Sequence, residues 1–127
     1  MWQLDVQGWV FQVKVIIAGG RHLTNRALVE AAVAASGFLI TEEVCGGADG
    51  IDEIGRQIAV EKGVPVKMFP ADWNKHGRAA GPIRNGQMAE YADALIAIPD
   101  SIRGSPGTHN MIDVMRMLKK PVYVHRI

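Results

Sequence analysis

Val13-Lys14-Val15-Ile16-Ile17-Ala18-Gly19-Gly20-Arg21 decides the fold of this chain. The β-branched run fits a strand, and its nearly unbroken apolar character fits a strand covered on both faces, as in a parallel sheet. Two glycines stop it, so it reads as the central strand. Working outward, Thr24 or Asn25 can cap a helix running through Ala35, with Gly37 just past its end. Upstream, Trp2-Gln3-Leu4-Asp5-Val6 alternates, and Gly8 offers a turn into Trp9-Val10-Phe11, which predicts an extra N-terminal strand or hairpin.

The same strand-then-helix grammar repeats downstream. Phe38-Leu39-Ile40 is a short strand or the end of a connection, and Glu43-Val44-Cys45 is the favoured second strand, leading into Gly46-Gly47-Ala48-Asp49-Gly50. Ile51, Ile54 and Ile58 then recur at helical spacing up to Gly63, and residues 64–69 form the next strand, whose Pro65 suits an edge or a strand start. Residues 70–82 read as a polar loop, 83–91 as a helix with Pro82 near its first turn, and 93–98 as an apolar strand. A Gly/Pro/Ser loop over 101–107, a helix over 108–120 and a last strand over 122–124 complete the series. Alternating elements with short connections and right-handed crossovers predict an α/β, Rossmann-like three-layer domain. Its sheet is mostly parallel, in the order 3-2-1-4-5.

Length and composition bound the function. With 127 residues, 48% hydrophobic and 21% charged, the chain has room for one globular domain over 1–127, with 1–12 as an N-terminal extension. The formal charge is +1, but residues 1–60 carry 4 basic and 7 acidic side chains, whereas 61–127 carry 10 and 6. That balance excludes a strongly basic nucleic-acid protein and leaves room for a local phosphate site. A single cysteine, Cys45, excludes an internal disulfide framework and reads as a small buried apolar residue. His22, His76, His109 and His125 have no zinc-like spacing with it. Neither a metal nor a cofactor is expected. No signal peptide or membrane-length apolar run is visible, so a cytoplasmic location is the expectation. Trp2, Trp9 and Phe11 cover the domain's own sheet or offer a homo-oligomer surface.

In a sheet of this type ligands bind at the carboxyl ends of the strands, where the strand order reverses. Three glycine-rich loops fall there: Gly19-Gly20-Arg21, Gly46 to Gly50, and Gly104-Ser105-Pro106-Gly107-Thr108. Glycines let backbone N–H groups approach an anion, helix N-termini add partial positive charge, and Arg21 or Arg84 can add a planar cation. Any one cluster alone is as readily a tight turn. Asp49 or Asp52 could accept hydrogen bonds from a ribose or base, although Asp52 could equally serve its helix dipole. Asp72, Trp73 and Asn85 are further candidates for polar and stacking contacts, Trp73 being as well placed to cover the core. No Walker phosphate loop, G-x-G-x-x-G fingerprint, H-E-x-x-H helix or G-x-S-x-G elbow is present.

Five segments in order carry a family resemblance: Ile16 to Arg21, Gly46-Gly47-Ala48-Asp49-Gly50-Ile51-Asp52, Pro70-Ala71-Asp72-Trp73, Ala80-Gly81-Pro82-Ile83-Arg84-Asn85 and Ser105-Pro106-Gly107-Thr108. Together they resemble the SLOG superfamily, which unites DNA-processing protein A and the lonely-guy enzymes, and within it the small DUF2493 (YspA-like) branch. The resemblance implies a nucleotide or nucleotide-derived small molecule held around Gly19, Gly20, Arg21, Gly46, Gly47, Gly50, Arg84, Ser105, Gly107 and Thr108. Asp49, Asp52, Asp72, Trp73 and Asn85 would supply polarity and base contacts. It implies a sensor or binder first and a single-stranded DNA-binding protein second. N-glycosidic hydrolysis of a nucleoside monophosphate follows, with Met111 standing where lonely-guy enzymes place a catalytic glutamate, so that this chemistry needs another acid, such as Asp72 or Asp113, in its place. A structural or assembly protein, of the kind encoded by phages, would keep the fold with an empty crevice.

Overall fold

The computed structural model describes residues 2–5 and 8–127, with side chains from Gln12 onward. Strand β1 (Trp2–Asp5) pairs antiparallel with the first part of β2 (Gly8–Gly19). There follow α1 (Arg26–Ser36), β3 (Phe38–Cys45), α2 (Ile51–Glu61), β4 (Val66–Met68), α3 (Trp73–His76), a 3-10 turn, α4 (Ala80–Tyr91), β5 (Ala94–Ile98), α5 (Pro106–Met117) and β6 (Val122–Val124). The sheet runs β4-β3-β2-β5-β6 and all of these pairs are parallel. Leaving aside β1, this is the expected order 3-2-1-4-5 with the first core strand at its centre. The packing of Trp2, Trp9 and Phe11 lies outside the described residues.

Two cores sandwich the sheet. Val13, Val15 and Ile17 point to one face and pack with Val29 and Ala32 of α1 and Ile51 and Ile58 of α2. Ile16 and Ala18 point to the other face, against Met88 and Ala89 of α4 and Met111, Ile112 and Met115 of α5. Every residue of β5 is buried, and each fully buried Leu95, Ile96 or Ile98 contributes about 2 kcal/mol. Asn25 caps α1, its side chain accepting from the Ala27 N–H at 3.0 Å, and Gly37 ends the helix at φ 73°.

Several boundaries differ from the sequence reading. Phe38-Leu39-Ile40 and Glu43-Val44-Cys45 belong to one strand, interrupted by a register shift: Val13 faces Ile40, and Lys14 faces Glu42. Thr41 is thus an extra residue, and a single insertion exchanges the two faces of everything after it. Glu43 lies opposite Val15, on the α2 side, while Val44 enters the other core. The strand expected over 64–69 shortens to Val66–Met68, because Pro65 has no N–H to donate to a ladder. Residues 70–82 are largely helical rather than loop, since Asp72 caps α3 by accepting from the Lys75 N–H at 3.0 Å and α4 begins at Ala80. Helix α5 starts at Pro106, which suits its fixed φ to the first turn.

Candidate functional site

The strand order reverses at β2, between β3 on one side and β5 on the other, and the three glycine loops gather at that edge. Their glycines do different jobs. A methyl group on Gly19 would collide with the Ile98 carbonyl and come within 2.7 Å of Ile51 Cγ1, so Gly19 is required by the approach of β5 and α2. Gly20 donates to the Ile98 carbonyl at 3.0 Å and accepts from Leu23 at 3.2 Å and Ile51 at 3.4 Å. Gly50 sits at φ 73°, and a Cβ there would be 2.5 Å from the Gly20 carbonyl oxygen and 2.6 Å from that of Arg21. The first two loops therefore lock together through backbone contacts only glycine permits. Arg21, Gly47 and Asp49 are exposed at their rim.

The start of α2 supplies its own anion. Asp52 is 6% exposed. Burial pushes its carboxyl up to about 6, against the opposing pull of Arg84 and of the N–H groups of Ala48, Gly19 and Asp52 itself. Beneath it lies Glu43, fully buried, with neither carboxyl oxygen in a hydrogen bond. Burial, reinforced by the Asp52 charge, pushes Glu43 up to about 8, the polar pull of the nearby Ile17 N–H and the charge of Arg56 opposing only in part, so the protonated form is favoured at pH 7. Cys45 completes the cluster: its Sγ accepts from the Gly47 N–H at 3.4 Å and contacts the Asp52 carbonyl at 3.7 Å. Burial raises the thiol to about 12, which keeps it protonated and unreactive, as expected of a small buried residue.

Arg84 and Asn85 tie this region to the third loop. The Arg84 guanidinium donates to the Gly46 carbonyl and, through Nε, to Asn85 Oδ1 at 3.2 Å. Asn85 donates in turn to the Gly107 carbonyl at 3.2 Å and to Asn110 Oδ1 at 2.9 Å. A Cβ on Gly46 would stand 2.8 Å from Arg84 Nη1 and 3.2 Å from Asp52 Oδ2, so the cation and the carboxylate flank this glycine.

The third loop is built by Asp100. Its carboxylate accepts from the N–H groups of Ile102 and Arg103, both at 3.0 Å, and those bonds hold it below the usual carboxylate range. Ser105 Oγ accepts from the Asp100 N–H at 3.1 Å and so does not cap α5, whose first turn also lacks an acidic residue. The N–H groups of Gly107 and Thr108 thus open the helix without a side-chain cap, Gly107 exposed and Thr108 buried.

Beside this crevice a recess of about 220 Å³ lies between the β4–α3 connection and α4, lined in part by Asp72, Lys75, His76, Ile83 and Arg84. Trp73 is 60% exposed next to it. Met111, at the position of the lonely-guy glutamate, is 1% exposed in the α4/α5 core, and Asp113 is exposed on α5. Hydrogen bonds and close contacts thus link Gly19, Gly20, Gly46, Gly50, Asp52, Arg84, Asn85 and Gly107 at this edge, and Arg21, Gly47, Asp49, Ser105 and Thr108 belong to the same loops or helix starts. Asp72 stands apart in the recess, which Arg84 also lines, and Trp73 lies beside it.

Three residues of this network are not among the site candidates of the sequence reading. Asp100 carries a usable signal, an aspartate one proline past an apolar strand and two residues ahead of the turn whose N–H groups it accepts. Asn110 has none. Glu43 has a faint one, since of two consecutive acids in a strand one must point inward.

An α/β domain with a doubly wound, parallel sheet is the class these features define. Residues 13–76, half of the chain, match the family described as the YspA, cpYpsA-related SLOG family, and the chain belongs to it. Among solved structures, it is similar to the X-ray structure of DNA processing protein A from Streptococcus pneumoniae, with a TM-score of 0.69 and 16% identity over 90% of this chain. At that identity the likeness is one of fold, and the chain spans 50% of that protein's length. No curated protein matches it. Among the described residues no helix is long and apolar enough to cross a membrane, and no cluster of metal-ligating side chains occurs.

Proposed function

We propose that the chain binds a nucleotide or nucleotide-derived small molecule, as a sensor or binder, in the crevice at the carboxyl ends of β2, β3 and β5. The observation that carries this is the Arg84–Asn85 pair, in which Arg84 is hydrogen-bonded to the second glycine loop and Asn85 to the third, so that the guanidinium stands one side chain away from the uncapped start of α5. The phosphate belongs at Ser105, Gly107 and Thr108, where helix N–H groups open one side chain from Arg84, rather than at α2, whose anion place Asp52 already takes. Gly19, Gly20 and Arg21 form the opposite wall. Gly46, Gly47 and Gly50 shape the floor, leaving exposed Asp49 to meet a ribose hydroxyl.

Calorimetric titration with AMP and with adenosine tests this. AMP should bind and adenosine should bind at least tenfold more weakly, and Arg84→Ala should weaken AMP by about tenfold, or 1.4 kcal/mol. Equal affinity for AMP and adenosine, or no binding of AMP to the wild-type chain, overturns the reading.

A second reading, single-stranded DNA binding, is favoured by one observation, the exposure of Trp73 beside Lys75, His76 and Arg84. N-glycosidic hydrolysis draws no support from Met111, since a thioether in the core can neither carry charge nor move a proton.

A further inference from the structure

We infer that the recess between the β4–α3 connection and α4 is a second binding surface, which takes an aromatic base stacked on Trp73 with its phosphate against Lys75, His76 and Arg84. It extends the nucleotide reading of the crevice, and rests on it for the adjacency of the two units though not for the recess itself. Among the described residues Trp73 is the one aromatic side chain that is exposed; Phe38, Phe69, Tyr91 and Tyr123 are half-buried. The indole is nevertheless seated. Its Cη2 lies 3.5 Å from where a Cβ would stand on Gly81 in the first turn of α4, so part of the ring rests on that glycine and the remainder faces open space. An ordered, half-supported indole is a stacking platform, and its face accepts any base.

The surroundings select an anion. Lys75, His76 and Arg84 line the 220 Å³ recess, and the single carboxylate there, Asp72, is turned to its own helix by accepting the Lys75 N–H. A more open recess of about 470 Å³, lined by Trp73 and Asn74, adjoins the first and shares Pro70 and Asp72 with it. Cationic compartment and aromatic compartment therefore lie side by side, matching one nucleotide unit. Arg84 lines this recess while its guanidinium reaches Gly46 at the crevice, so units bound at the two places would be neighbours in one molecule. Two sources share that chemistry, a pyrophosphate-linked dinucleotide and a single-stranded nucleic acid.

Tryptophan emission of the whole chain, compared between wild type and Trp73→Leu, reads the platform directly. NAD represents the dinucleotide and a short oligo(dA) the nucleic acid. At least one should quench wild-type emission, and Trp73→Leu should abolish that part of the quench and weaken the same probe several-fold. The probe that responds identifies the source. Lys75→Glu should weaken it as well and flatten its salt dependence. The melting temperatures of both variants, at exposed positions, should stay at the wild-type value. No Trp73-dependent quench with either probe, while AMP still binds and Arg84→Ala still weakens it, overturns the recess and leaves the crevice standing. AMP binding that Trp73→Leu abolishes and Gly107→Ala leaves unchanged upholds the recess and overturns the crevice. Loss of both signals overturns both.

Discussion

The starts of α2 and α5 look alike in sequence, each a glycine-rich turn that opens a helix at the same edge of the sheet, yet they are chemically opposite. At α2 the turn is sealed: Gly50 is wedged against two carbonyls, and Asp52 places its own carboxylate among the N–H groups of Gly19 and Ala48. At α5 the turn is open: Ser105 spends its hydroxyl on Asp100, no acid follows, and a Cβ on Gly107 would meet nothing within 4 Å. The difference teaches that a glycine cluster before a helix is a candidate anion site only where the chain does not supply the anion itself.

Substitutions can break that contrast. Gly50→Ala should be the most damaging, costing about 3 kcal/mol or more, because the residue needs positive φ and has carbonyl oxygens at 2.5 and 2.6 Å from the new methyl. Thermal denaturation measures this, and a melting temperature near the wild type would show that the loops are not locked. Glu43→Gln should act in the opposite direction, raising stability by on the order of 2 kcal/mol at pH 8, since an amide neither takes up a proton on folding nor carries a charge into the core.

The pH dependence gives that variant a second signature. Glu43 moves from an ordinary 4.5 up to about 8 in the folded chain, so between those values the unfolded state has released a proton the folded state keeps. Stability therefore falls as pH rises through this window, and Asp52, raised from 3.8 to about 6, adds a fall at its lower end. Denaturation across pH 4 to 9 should show the decline in the wild type and a flatter curve in Glu43→Gln, the gap between them widening up to about pH 8 and levelling off above it. Parallel curves would mean that Glu43 finds a partner in solution.

Gly107→Ala should be the mildest, changing stability by about 0.5 kcal/mol or less while weakening AMP, because its methyl projects into the open mouth at α5 rather than into the fold. A stability loss comparable to that of Gly50→Ala would erase the distinction between sealed and open turns.

The sheet was legible because its signal is local. Apolar β-branched runs such as Val13 to Ala18 and Ala94 to Ile98, each followed by a turn and a periodic helix, leave little choice but a parallel α/β arrangement. The stretch over 70–82 was not, for α3 and the 3-10 turn have no apolar periodicity and exist by a cap from Asp72 and by lying against α4. The same division runs through the site. Local sequence is enough to bring the three glycine loops to one edge and to mark Arg84 and Asn85 beside it, because topology alone places loops at strand ends.

Only the tertiary structure decided which loop was open. The extra residue Thr41 in β3 turns Glu43 inward beneath α2, Asp52 closes the α2 start from within, and Asp100 draws Ser105 away from the cap of α5. Those outcomes depend on strand register and on partners far apart in the chain, such as Arg84 with Gly46 and Asn85 with Gly107. Residue order carries composition and periodicity, but which donor meets which acceptor is settled only when the sheet has brought them within about 3 Å.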